Sequence, residues 1–107
     1  MLVNQSMLDS YFAIYNAMLF DGQLNPDLIV CSEYLLDTEV VGYFDPDCDP
    51  AGVIGISQEL NLEDSKKVLV HEMIHAWDWD RRGTTCHDQV FTNKARECSE
   101  LLGFHID

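Results

Sequence analysis

Between Met7 and Phe20 the apolar residues Met7, Leu8, Tyr11, Phe12, Ile14, Tyr15, Met18 and Leu19 recur every three or four positions, the spacing of an amphipathic helix. Asp21-Gly22 supplies a stop, because glycine after the last turn accepts the left-handed backbone that ends a helix. Past Asn25-Pro26 the pattern changes to three short runs of strand-like composition: Leu28 to Glu33, Val40 to Asp45 and Val53 to Ser57. Polar or Pro- and Gly-bearing connections divide them, and a small three-stranded antiparallel sheet is expected. Asn61 then offers an N-cap, and Leu62 to about Arg81 contains neither Pro nor Gly, so a long second helix should run until Gly83. A third helix is expected after Thr84-Thr85, carrying Val90, Phe91, Ala95, Cys98, Leu101 and Leu102 at helical spacing up to Gly103. Helix, three strands and two helices make an α+β fold.

A chain of 107 residues is long enough for one hydrophobic core, so residues 1–107 are expected to form a single domain. No apolar stretch approaches the roughly 20 residues of a membrane span, and the opening MLVNQSMLDS lacks the basic-then-apolar order of a signal peptide. The cytoplasm is the expected compartment. Cys31, Cys48, Cys86 and Cys98 contain no CxxC pair and read as reduced structural thiols. Six Lys and Arg against 19 Asp and Glu give a net charge of −13, which argues against direct contact with nucleic acid. The acidity suits solubility or a basic partner. Asp45, Asp47 and Asp49 alternate like a calcium loop, but Pro50 and Ile56 stand where such a loop needs Gly and Glu, so an acidic hairpin connection is expected.

The chemistry concentrates in His71-Glu72-Met73-Ile74-His75, where two imidazoles four residues apart share one face of the second helix and can grip one ion. Imidazoles suit zinc, and a catalytic zinc site uses three protein ligands and leaves a position for water. Zinc lowers the pKa of that water toward about 7, and Glu72 is placed to take its proton. Val70, Met73, Ile74 and Ala76 would seat the helix. Candidates for the third ligand are His87, His105, Asp78, Asp80 and acidic residues near the helix end. His87 is preferred because it lies beyond the Gly83 break, where the chain can turn back over the first two imidazoles; Asp78 is the fallback, and His105 reads as a surface residue.

These motifs resemble the catalytic core of the SprT-like metallopeptidases, the family of the Spartan proteases. The aromatic-rich helix ends in Phe20-Asp21-Gly22; Gly42-Tyr43-Phe44 and Ile54-Gly55-Ile56-Ser57 match two strands. Val68 to Trp77 matches the active-site helix, and His87 with Phe91 four residues on completes the pattern. The resemblance implies a zincin-like fold and a zinc peptidase with one ion on His71, His75 and His87, Glu72 as catalytic base and a protein or peptide as substrate. His87 departs from the family in lying between Cys86 and Asp88 rather than beside glycines, and no cysteine-rich ribbon follows. Short cores of this kind suit the compact genomes of bacteriophages, and thus a bacterial or phage-infected cytoplasm.

Two other readings compete: a metal-bearing acidic binding module, and a DNA-mimic inhibitor without proteolytic activity. An intact water-activating glutamate favours the enzyme, since a structural site does not need one. Tyr43 and Phe44 are candidates to line a groove where an extended peptide adds as a strand. At least one of Trp77 and Trp79 is expected in the core, and Arg81 and Arg82 read as solvated cations complementing the helix dipole.

Overall fold

Each helix begins at a side-chain cap. Asn4 accepts from the Met7 amide at 2.9 Å, Asn61 from the Asp64 amide at 2.8 Å, and Asp88 from the amides of Val90 and Phe91. In the computed structural model, which describes residues 4–37 and 39–107, these caps open α1 (Gln5–Phe20), α2 (Leu62–Arg82) and α3 (Gln89–Leu102). Residues 1–3, the head of the segment read above for a leader, and Thr38 lie outside the described residues. The first helix ends at Asp21 in the left-handed region, and α2 ends at Gly83, whose φ of 65° suits glycine. The third helix starts later than the periodicity suggests because Asp88, not the threonine pair, is its cap.

The strands are β1 (Ile29–Glu33), β2 (Gly42–Asp45) and β3 (Val53–Ser57), in the order β1-β3-β2. The expected all-antiparallel sheet is corrected to a mixed one: β2 and β3 form an antiparallel hairpin across the acidic connection, but β1 pairs with β3 in parallel. Burial explains the order. The central position buries both faces of a strand, and β3 (Val-Ile-Gly-Ile-Ser) is the strand with no charge to solvate. One face sends Val30, Ile54, Ile56 and Phe44 toward the helices, where they meet Leu69, Val70, Met73 and Ile74 of α2 and Leu8, Leu19 and Phe20 of α1. The apolar residues Ile14 and Met18, counted above in the α1 stripe, remain exposed.

Both outer features of the sheet are guarded by polar contacts. Along the edge of β1 the Gln5 amide stands in for a strand, donating to the Val30 carbonyl and accepting from the Ser32 amide at 2.9 Å, so that edge is closed to pairing. On the face away from the helices Tyr43 lies over Gly55 and its hydroxyl donates to Glu33 on the far strand. Lys94 ties the helices together: its Nζ donates to the Leu19 carbonyl at 2.8 Å and lies 5.1 Å from the rings of both Phe20 and Trp77. Trp77 is half-buried, packed against the core beneath Lys94 and Arg81, whereas Trp79 is 36% exposed. All four cysteines are free, Cys98 within the core. Among the described residues no helix is long and apolar enough to cross a membrane.

A Cβ at Gly55 would overlap the Tyr43 ring and the Glu33 carboxylate that cross it. Gly55→Ala is therefore expected to destabilise the fold by about 1–3 kcal/mol through overpacking. Urea unfolding should show a lower midpoint with an unchanged slope; an unchanged midpoint would mean that the Tyr43–Glu33 contact swings away freely.

Candidate metal centre

The middle of α2 is two-sided. Leu69, Val70, Met73 and Ile74 are fully buried in the core, while His71, Glu72 and His75 line an open cleft of about 370 Å³. Helical spacing requires this split, since positions 71 and 75 lie one turn apart on one face. Gly42 brings β2 close to that face: Val68 and Glu72 occupy the space a side chain at position 42 would need.

Past Gly83 the chain reverses, and His87 comes back over the first two histidines. Its Nε2 lies 3.0 Å from Nε2 of His75 and 3.2 Å from Nε2 of His71. Phe91 backs all three, with ring centroids 5.0 Å from His71, 4.6 Å from His75 and 4.8 Å from His87. Among the described residues these three are the group of His, Cys, Asp and Glu side chains that can hold a metal ion, their ligand atoms lying within 4.8 Å of one another. The spacing fits an ion: ligands of tetrahedral zinc with bonds of roughly 2.0–2.1 Å lie about 3.3 Å apart.

The proton positions also suit ligation. His71 Nδ1 lies 3.0 Å from the backbone carbonyl oxygen of Asp107, an acceptor only, so Nδ1 carries the hydrogen and Nε2 presents a lone pair. Burial lowers the His71 pKa, and burial followed by its two imidazole neighbours lowers that of His75 to about 4. Both rings are thus neutral near pH 7, as ligands must be. His75 Nδ1 is buried without a hydrogen-bond partner among the described residues. Glu72 is 6% exposed, and burial alone pushes its pKa up to about 7.

The other sequence candidates stand apart from this cluster. Asp78 is fully buried but bound by Arg82, Asp80 is exposed, and His105 is exposed beside Asp107. The cleft wall is built by Val41 and Gly42 rather than by Tyr43 and Phe44, which turn to the outer sheet face and the core respectively. Arg82 is not a free terminal cation: it donates to both oxygens of Asp78 at 2.6 and 2.8 Å and to both of Asp88 at 3.0 and 2.9 Å. Lys67 and Asp107 also line the cleft. Lys67 was legible, one turn before His71 on the same helical face; Asp107 was not, since only the path of the tail brings it there.

No curated protein matches the chain in sequence. A profile of the SprT-like family matches residues 8–107, covering both strand motifs, the helix that carries His71 and His75, and His87. The chain belongs to the SprT-like family, whose character is that of zinc metallopeptidases.

Proposed function

We propose that the chain is a zinc-dependent endopeptidase acting on protein or peptide substrates, with His71, His75 and His87 holding one zinc ion and Glu72 serving as general base. The observation that carries this reading is the convergence of three imidazole Nε2 atoms beside a buried carboxylate in an open cleft. Bound zinc supplies Lewis acidity, which polarises a peptide carbonyl and acidifies water. The part of Glu72 is proton transfer. A carboxylate whose proton affinity is raised to near neutrality takes a proton from the attacking water and returns it to the departing amine. His71 is held in its ligand tautomer by the Asp107 carbonyl, and Phe91 excludes water from behind the three rings. With the β1 edge closed by Gln5, the outer edge of β2 beside Gly42 is the one on which an extended substrate backbone adds as a strand. A net charge of −13 keeps nucleic acid out of this reading as a direct ligand.

Elemental analysis should find one zinc per chain, lost in His75→Ala and His87→Ala. Glu72→Gln should keep the metal while hydrolysis of an unfolded protein falls by roughly 10²–10⁴-fold. A wild type that binds no zinc when it is offered, or a Glu72→Gln variant as active as wild type, would refute the proposal.

The raised Glu72 pKa also carries a stability cost in the metal-free protein. The folded state prefers the protonated carboxyl, so this stability is complete below the ordinary pKa of 4.5 and is lost as pH rises through about 7. A glutamine amide at this position would not titrate. Metal-free Glu72→Gln is thus expected to be more stable than metal-free wild type above pH 7, by up to about 3 kcal/mol, with the gap closing below pH 4.5. Urea unfolding in chelator, followed from about pH 4 to about pH 9, measures the gap; a pH-independent difference would contradict it.

A further inference from the structure

The three imidazoles are not held alike. His71 and His75 ride on consecutive turns of α2 with the core beneath them, and His71 has the Asp107 carbonyl as well. His87 lies outside any helix, in the exposed stretch after Gly83, and the polar contacts of its ring are with the other two histidines. Apart from those two rings the His87 imidazole has Phe91 behind it, an apolar contact that sets no direction, so the backbone at His87 must be fixed by its neighbours in the chain.

Asp88 is the fixed neighbour. Its Oδ1 accepts from the Val90 and Phe91 amides at 3.2 and 3.3 Å, capping α3, and its two oxygens accept from Arg82 at 2.9 and 3.0 Å. Arg82 in turn forks onto Asp78, whose side chain is 0% exposed and lies one turn back along α2. A chain of hydrogen bonds therefore runs from the interior of α2, through one guanidinium, across the Gly83 turn to the residue after His87. Capping alone does not need it: an uncharged oxygen at position 88 would serve the two amides as well. The charge on Asp88 has the separate effect of tying the start of α3 to the end of the helix that carries His71 and His75. Guanidinium geometry matters here, since a planar fork makes two hydrogen bonds to each of two carboxylates, four in all, and an ammonium has only three donors.

We propose that Arg82 is a positioning residue for the metal centre: by clamping Asp88 to the buried Asp78 it holds His87 in ligand register with His71 and His75. This inference rests on the three-histidine reading given above. Two variants test it. Asp88→Asn keeps an oxygen for the α3 cap but loses the charge that meets Arg82, and Arg82→Lys keeps a cation at the end of α2 but loses the fork. Each would be measured by circular dichroism and melting, by zinc competition against a chromophoric chelator, and by the visible spectrum of the cobalt-substituted protein. The clamp predicts retained helix content in both variants, a zinc affinity roughly 10–100-fold below wild type, and a weaker cobalt band as the third imidazole is lost. Wild-type zinc affinity and an unchanged cobalt spectrum in both folded variants would overturn the clamp and leave the three-histidine site standing. A wild type that takes up neither zinc nor cobalt would overturn the site and the clamp together.

Discussion

Two turns of α2 have to be core and reagent at once. Leu69, Val70, Met73 and Ile74 are fully buried on one side, and the same few residues of helix carry His71, Glu72 and His75 along the cleft. The imidazoles and the carboxyl are therefore held by a helix that cannot rotate or shift without opening the hydrophobic core. That coupling also explains the titration behaviour. A helix seated this deeply takes Glu72 and His75 out of water, which raises one pKa and lowers the other. Both shifts favour the uncharged form, so an ionised Glu72 costs the fold stability that a cation beside it can restore.

The elements that follow from local rules were legible in the sequence. The second helix has an Asn61 cap, no interior Pro or Gly and a Gly83 stop, and it forms between those signals. His87 was reachable because a helix break must lie between it and His75. The sheet order was not legible, since the choice of β3 as the central strand is a contest among strands for burial, settled by contacts far apart in sequence. Of the two tryptophans near the end of α2, Trp77 packs against the margin of the core with cations over its outer face, and Trp79 stays exposed; size alone could not say which. The Asp78–Arg82 pair stands at a helix-neighbour spacing and was open to view. Its bond to Asp88 was hidden, because it depends on how the chain turns at Gly83.

In so acidic a chain the placement of the few cations says more than the count of carboxylates. Lys66 of α2 lies over Tyr11 of α1, Lys94 lies between Phe20 and Trp77, and Arg82 between two aspartates, so three of the six Lys and Arg join one element or turn to another, while Arg81 covers Trp77 on its own helix. The cation–ring contacts contribute only about 0.5–1 kcal/mol each at exposed sites, and their larger effect is to fix geometry. Lys67 is different, because it faces the cleft instead of another element. The carboxylates left over are spread on the outside, where mutual repulsion is screened by salt within about 8–10 Å. The cleft itself is lined by Val41, Gly42, Val68, the three imidazoles and Lys67, with Glu72 and Asp107 as its acids. On the proposed reading, a neutral peptide backbone thus reaches the three histidines along a wall of small and apolar side chains, with Lys67 as its cation and the surplus of carboxylates elsewhere on the surface.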